Sequence, residues 1–213
     1  MYRILTIFLA LLVSSFLPTY AFNSMSGVHG VTFGGIGVSR PACTVVADED
    51  SGDDSAQFTR ASSESLTIAD NTDLSLGADQ AFSISAWVYL DSLDSTGNTI
   101  IAKTDDTLTT ALASEFHLLY QNAVDNFRWE LGNGTTGVTC DDTILGTPST
   151  ATWYHLIATH DPVADTVNLY INDGMVQSCA WTGGTQDSAY TVRLGRGLIS
   201  SGFNFDFNGK IDS

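Results

Sequence analysis

Three side chains able to bind a polar ligand fall on two short segments that alternate apolar and polar residues. In the segment EFHLLYQ, His117 alternates with side chains that we expect to face the core, and in NFRWELG, Arg128 and Glu130 do the same. If the two segments form a hairpin around residues 122–126, the three polar side chains share one face of a sheet. Two interpretations stay open: a ligand-binding face, and a solvated face with a cross-strand Arg–Glu contact.

The same residues do not form the arrangement that hydrolytic catalysis needs. Retaining glycoside hydrolysis uses two carboxyl groups about 5–5.5 Å apart, a spacing that alternate acids on one strand face would supply. Glu130 is followed by LGN, and no glutamate has an acid two and then three residues further on. The sequence has no Gly-x-Ser-x-Gly elbow, and its histidines are scattered. We therefore interpret the chain as a non-enzymatic protein.

The net charge of the chain limits the classes of partner that it is expected to bind. Asp and Glu number 24 against 8 Lys and Arg, which gives a formal net charge of −16. Nucleic acid and anionic membranes repel a protein of this charge, whereas neutral sugars and divalent cations are compatible with it. Most of the acids are aspartates, which are depleted in strands and favoured in turns. We therefore expect the acidic side chains mainly in loops.

The first 21 residues have the pattern of a secretory signal peptide. Arg3 gives a short basic start, residues 4–17 form an apolar run, and small residues end the segment. A transmembrane helix needs about 20 apolar residues, so we predict a secreted or cell-surface protein with no membrane insertion after signal cleavage. Residues 22–54 form a glycine-rich leader that ends in the acidic run DEDSGDD, and residues 55–213 remain for one domain.

The three cysteines suit an exported protein. Cys140 and Cys179 lie in strand-like segments on either side of the meander WYHLIATHDPVADTVNLYINDG, and we expect them to form a disulfide. Cys43 lies in the leader and would remain free or pair with another molecule. No two cysteines have the C-x-x-C spacing of a zinc site.

From residue 55 onward, short alternating segments recur between turn signals. In AFSISAWVYL, Phe82, Ile84 and Val88 fall on one face, and the meander alternates in the same way before Asp173-Gly174, a dipeptide suited to a tight hairpin turn. No segment keeps a helical period. The sequence therefore predicts an all-β fold, an antiparallel two-sheet sandwich or jelly roll.

Three segments in order resemble the laminin-G-like jelly roll of the concanavalin A-like superfamily. They are FTRASSESLTIADNTDLSLGADQAFSISAWVYLDSL, TWYHLIATHDPVADTVNLYINDGMV and RLGRG with FNGKID, and together they span residues 55 to 212. The resemblance implies a two-sheet antiparallel jelly roll, a fold that hosts many functions. We interpret Trp153 and Tyr170 in the second segment as packing residues of this scaffold rather than as ligand platforms.

The resemblance also implies a ligand. The concave sheet of the family could use the face of His117, Arg128 and Glu130 to bind glycan hydroxyls, so we predict a carbohydrate-binding or adhesion module with a glycan or cell-surface partner. Two alternatives stay open. One is a structural surface or appendage component without sugar specificity, and the other is an accessory domain of a larger secreted enzyme.

Calcium is a further expectation from the resemblance. Many laminin-G-like domains carry a calcium site at loop ends, built from aspartate oxygens and backbone carbonyls. The positions that the resemblance indicates here are Asp70, Asp73 and Asp212, and hard oxygen ligands suit this ion. The alternative, that these aspartates only form turns, stays open.

The chain departs from the family after FNGKID, where relatives commonly have a further strand beside the first one. Without that strand, a neighbouring strand would keep unpaired N–H and C=O groups. We consider three outcomes: a truncated sequence, which we favour; a leader segment within residues 31–46 that fills the gap; or a strand from another chain.

Overall fold

The computed structural model describes residues 6–7, 37–39, 44–47, 54–74, 76–93, 97–104, 114–198 and 204–212. Apart from Thr6–Ile7, the predicted signal peptide lies outside the described residues, as do most of the predicted leader and Cys43. The strands in chain order are β1 (Thr6–Ile7), β2 (Gly37–Ser39), β3 (Thr44–Ala47), β4 (Asp54–Phe58), β5 (Ser65–Ile68), β6 (Phe82–Leu90), β7 (Asn98–Thr104), β8 (Ser114–Gln121), β9 (Asn126–Gly132), β10 (Gly137–Asp141), β11 (Trp153–Asp161), β12 (Thr166–Ile171), β13 (Gly174–Ala180), β14 (Val192–Leu194), β15 (Arg196–Leu198), β16 (Asn204–Asp206) and β17 (Gly209–Asp212), with a short 3-10 turn at Arg60–Ser62.

The described strands form a sandwich of two large sheets. Sheet A has the order β13-β12-β11-β6-β17-β4-β3, with the short β1 paired in parallel to β6, and sheet B has the order β10-β9-β8-β7-β14-β5-β2. Strands β15 and β16 form a separate hairpin. The prediction of an all-β, antiparallel two-sheet jelly roll is confirmed. Within the described ranges, no helix has the length and hydropathy to cross a membrane.

The core lies between the two sheets because each sheet turns its alternate apolar side chains inward. Along β6, burial follows the period of two that the sequence predicts, with Phe82, Ile84 and Val88 buried. Phe82 from sheet A meets the fully buried Trp129 of sheet B edge-on, with ring centroids 5.9 Å apart. This interdigitation of aromatic side chains fixes the spacing of the sheets and the faces that remain outside.

The disulfide prediction is confirmed. Cys140 on β10, at the edge of sheet B, is bonded to Cys179 on β13, at the edge of sheet A, and their Cα atoms are 5.8 Å apart. The bond therefore joins the two sheets at one side of the sandwich.

Leader segments lie at the opposite side. Strand β3 pairs with β4 at the edge of sheet A, and β2 pairs with β5 at the edge of sheet B. These segments therefore occupy the hydrogen-bonding edges of β4 and β5. The three outcomes considered for the chain after FNGKID stay open.

The β12–β13 turn differs from the prediction by one residue. Ile171 pairs with Gly174, so the two-residue turn consists of Asn172 and Asp173, with φ angles of 49° and 69°. Asparagine and aspartate tolerate this left-handed conformation, and two such residues in succession suit the twist of a hairpin. Gly174 is instead the first residue of β13.

Candidate functional site

The structure brings the three predicted ligand-binding residues together. Strands β8 and β9 are hairpin neighbours, and in their register His117 lies opposite Glu130. Strand β10 continues the row, because its Asp141 lies opposite Arg128. We call His117, Arg128, Glu130 and Asp141 the polar cluster. Sequence reasoning missed Asp141, although the alternation of GVTCD could have placed it on this face once β10 was paired with β9.

Ion pairs hold the side chains of the polar cluster in place. The Arg128 guanidinium donates Nε–H and Nη2–H to the two carboxylate oxygens of Asp141, at 2.5 and 3.0 Å. It also donates from Nη1 to Glu130 Oε1 at 3.4 Å, and the other Glu130 oxygen lies 3.4 Å from His117 Nδ1. A forked Arg–carboxylate contact restricts rotation of both side chains. The cluster is therefore rigid and retains guanidinium N–H groups without a partner inside the cluster.

Only part of the predicted ligand-binding face is accessible to solvent. Asp141 keeps 31% of its side chain exposed and Arg128 keeps 16%, but His117 keeps 6%. The β15–β16 hairpin covers His117, with the Phe205 ring centroid 6.4 Å from the imidazole. A Cβ on Gly197 of β15 would come within 2.4 Å of Thr99 Oγ1 and 3.2 Å of His117 Nε2, so the absence of a side chain at this position permits the close cover.

His117 therefore lies beneath the solvent-exposed part of the polar cluster and positions Glu130. Its Nε2 contacts Thr99 Oγ1 at 2.9 Å, and its Nδ1 faces Glu130, so both ring nitrogens are engaged. His117 lies on the same face as Arg128 and Glu130 but is not exposed to solvent, because β8 is buried on both faces, at His117 as at Leu119. The accessible ligand groups are those of Arg128, Glu130 and Asp141.

The surroundings of Glu130 keep it ionised. Burial raises the pKa of the Glu130 carboxyl, but the hydrogen bond and charge of His117, together with Arg128, outweigh burial and leave the pKa below its usual range. A general acid for glycoside hydrolysis needs the opposite, a pKa raised enough to hold a proton near neutral pH. Glu130 is thus suited to accept hydrogen bonds and not to donate a proton.

A second cluster of charged side chains, around Lys103 and Glu115, is buried at sheet B. Lys103 and Glu115 have no exposed side-chain surface, and Lys103 Nζ lies 3.0 Å from Glu115 Oε2 and 2.9 Å from Asp70 Oδ1. The ammonium also donates to the Leu74 carbonyl at 3.0 Å. Burial raises the pKa of Glu115, and hydrogen bonds from Ser188 and Lys103 offset only part of this rise. This group anchors the loop after β5 to the sheet and has no route to a substrate.

The residues predicted for calcium lie on different sheets. Asp70 and Asp73 follow β5 of sheet B, whereas Asp212 ends β17 of sheet A opposite Trp87. Across the described part of the chain, no group of three or more His, Cys, Asp or Glu side chains is arranged to hold a metal ion. The Lys103 ammonium already contacts the Asp70 carboxylate. Calcium binding stays a prediction.

Aromatic side chains form a strip on the outer face of sheet A, in which Trp87 is exposed and the other three are half-buried. Trp87 of β6 stacks on His155 of β11, with centroids 4.7 Å apart and ring planes 18° apart, and Tyr89 contacts Trp153 at 5.4 Å. We call these four residues the aromatic strip. Trp153 and Tyr170 are half-buried on the outer face of sheet A, as their alternation with buried neighbours indicates. Their interpretation as packing residues rather than ligand platforms stays a prediction.

Comparison with known proteins agrees with this architecture. A family model described as concanavalin A-like lectin/glucanases superfamily matches residues 50–213. The chain belongs to this superfamily. The resemblance that the three segments indicated is thereby confirmed, and the superfamily domain includes every strand from β4 to β17. No curated protein sequence matches the chain.

Solved structures of similar fold include several sugar-binding proteins. Domain 4 of AbnA, a GH43 extracellular arabinanase from Geobacillus stearothermophilus, in complex with arabinotriose, has a TM-score of 0.58 at 18% identity, over 80% of this chain and 72% of that one. A putative carbohydrate binding protein from Bacteroides ovatus has a TM-score of 0.52 at 18% identity, over 74% of this chain and 41% of that one. At these identities the likeness shows the fold of this superfamily member and not its ligand.

Proposed function

We propose that this protein is a secreted, non-catalytic carbohydrate-binding module. The observation that carries the proposal is the polar cluster, a row of fixed hydrogen-bonding groups on the outer face of sheet B. Sugar hydroxyls both donate and accept hydrogen bonds, and the cluster offers both roles side by side through Arg128 and the carboxylates of Glu130 and Asp141. His117 and Thr99 hold Glu130 from behind and are positioning residues.

The names of the structural neighbours support a sugar as the ligand. One neighbour is described as bound to arabinotriose, and a sialidase domain from Ruminococcus gnavus is described as bound to sialyllactose, with a TM-score of 0.50 at 15% identity over 64% of this chain and 74% of that one. The net charge of −16 favours neutral glycans over acidic ones for this chain.

The electrostatics of the site support binding without hydrolysis. The carboxylates of Glu130 and Asp141 are both paired with Arg128, and the lowered pKa of Glu130 disfavours the protonated form that would assist a leaving group. The carboxyl with a raised pKa, Glu115, is fully buried next to Lys103.

The proposal is tested on an array of neutral and acidic oligosaccharides, followed by titration calorimetry on each ligand found. Glu130→Gln keeps the shape of the site and removes its charge, and hydrogen bonds to charged groups contribute about 1.5–3 kcal/mol. We therefore expect affinity to fall about 10- to 100-fold. Ser178→Ala, at an exposed position on β13, is the matched control and should bind like the unaltered protein.

Two outcomes would contradict the proposal. An array without any bound glycan would favour a structural surface component. Equal affinity of the Glu130→Gln and unaltered proteins would place the binding site elsewhere.

One observation favours a second candidate, an accessory domain of a larger secreted enzyme. The neighbour with arabinotriose is itself one domain of an extracellular arabinanase. In that case the module would bind the same glycan that an attached catalytic domain cleaves. Attaching the chain to an arabinanase or a xylanase catalytic domain and measuring activity on insoluble substrate would distinguish this role from isolated binding.

A further inference from the structure

We propose that the aromatic strip on the outer face of sheet A is a second carbohydrate site, which binds the flat faces of sugar rings in a neutral polysaccharide. The strip and the polar cluster lie on different sheets of the sandwich and face away from each other. The second site does not depend on the first, and each can be tested while the other is intact.

Pairing between strands determines the geometry of the strip. Strands β6 and β11 are neighbours in sheet A, with Tyr89 opposite Trp153 and Trp87 opposite His155. The two pairs thus form consecutive rows on one face. Two residues along a strand correspond to about 7 Å, so the rows are spaced on the scale of a sugar ring. An extended polysaccharide lying across β6 and β11 would meet an aromatic side chain at each row.

The side chain of Trp87 in the strip is more exposed to solvent than packing of the fold requires. Trp87 is 42% exposed, whereas Trp129 in the core is fully buried. Leaving an indole in water forgoes the free energy gained by burying it, and contiguous apolar patches on a soluble protein indicate a binding surface. The strip continues toward Met175, which is 54% exposed and pairs with Tyr170 on the same sheet.

The side chains of the strip are preorganised. The His155 ring is fixed between the stacked Trp87 and a hydrogen-bond contact of its Nε2 with Ser85 Oγ at 2.9 Å. Lys210 Nζ lies 5.3 Å from the centre of the Tyr89 ring, an approach that is attractive through the negative face of the ring. Because these rotamers are already fixed, a ligand need not order them on binding.

The chemistry around the strip favours a sugar over a protein partner. The negative face of an aromatic ring attracts the weakly positive C–H groups on the flat side of a sugar, while hydroxyl groups at the rim of the sugar need polar partners. Lys210 and Asp212 of β17 flank the strip next to Tyr89 and Trp87, and can supply such contacts. A protein interface core is instead depleted of charged residues at its centre. The strong negative charge of the chain excludes acidic polysaccharides as preferred ligands.

The test is depletion binding to insoluble neutral polysaccharides, with amorphous cellulose, arabinan and xylan as the probes. The full-length protein is compared with Trp87→Ala and with Ile144→Ala, which removes a 71% exposed aliphatic side chain in the loop after β10, outside the strip. We expect Trp87→Ala to weaken binding about tenfold, since one aromatic contact contributes about 1.4 kcal/mol. Ile144→Ala should bind these solids like the unaltered protein, and Trp87→Tyr should restore most of the loss.

Tryptophan fluorescence gives an independent measurement. Soluble xylan should shift the emission of the exposed Trp87 to shorter wavelength, and the shift should be absent from Trp87→Ala. Circular dichroism verifies that this variant is folded, a safe expectation for an exposed side chain.

Each remaining outcome overturns the proposal. Failure of the unaltered protein to bind any of the three solids, or equal binding by Trp87→Ala, would exclude a polysaccharide site on the strip. Loss of binding in Glu130→Gln alone would assign all sugar binding to the polar cluster. Sedimentation of a dimer that Trp87→Ala converts to a monomer would identify the strip as a self-association surface instead.

Discussion

The disulfide between Cys140 and Cys179 should account for a large part of the stability of the fold. It joins the edge strands of the two sheets across a sequence separation of 39 residues. In the chain-entropy description, a loop of this length raises the free energy of unfolding by about 4 kcal/mol, because the link restricts the unfolded chain. For a protein of this size, that corresponds to a change in Tm of roughly 8–16 °C.

The assay is urea unfolding followed by circular dichroism, with and without a phosphine reductant. Reduction avoids the cavity that replacing the fully buried Cys140 would leave. Cys43→Ser is the matched control, because Cys43 is predicted to be outside the bond; its stability should equal that of the unaltered protein. A reduced protein that unfolds at the same urea concentration as the oxidised one, or three free thiols by mass spectrometry, would refute the reasoning.

Three further predictions concern the charged groups of sheet B. Lys103→Met leaves buried Glu115 without its partner and should reduce the free energy of unfolding by about 3–5 kcal/mol. The double variant Lys103→Met with Glu115→Gln should recover much of that loss. A double-mutant cycle in urea measures both changes, and additive losses would contradict coupling between the two side chains. The folded-state pKa of Glu130 is lowered, so its contribution to stability is present above the unfolded-state pKa and is lost as pH falls through the folded-state value. The Tm of Glu130→Gln should therefore fall less than that of the unaltered protein on acidification to about pH 3. Parallel curves of Tm against pH for the two proteins would contradict a lowered pKa of Glu130. Millimolar calcium should raise Tm relative to chelator if the predicted site around Asp70 binds the ion, and an unchanged Tm would exclude that site.

The fold was predictable from the sequence because one-sided burial imposes a period of two. In β6, Phe82, Ile84, Ala86 and Val88 are buried and the residues that alternate with them face outward, so the alternation of apolar and polar residues shows which face is core. The same reasoning placed His117, Arg128 and Glu130 on one face, because residues that lie opposite each other in an antiparallel hairpin point to the same side of the sheet.

The cover over that face was not predictable. Strand β8 is buried on both sides, since the β15–β16 hairpin lies over His117. The residues that provide the cover are about 80 positions later in the sequence, and their docking depends on the close approach at Gly197, which no local pattern reveals. The buried Lys103 was missed for a similar reason. Its partners come from a preceding loop and the next strand, and only their convergence compensates the cost of burying an ammonium group.

The two outer faces of the sandwich differ in which side chains remain accessible to solvent, and each face supports a separate proposal about binding. On sheet B, the charges neutralise one another and the β15–β16 hairpin covers His117, so a ligand there reaches only the groups of Arg128, Glu130 and Asp141. On sheet A, Trp87 remains in water although the sandwich could have placed a polar residue at the same position without disturbing the core. Outward positions on a sheet do not determine the fold, because the core is built from the inward ones. An exposed tryptophan at such a position therefore supports the proposal that the aromatic strip binds a ligand.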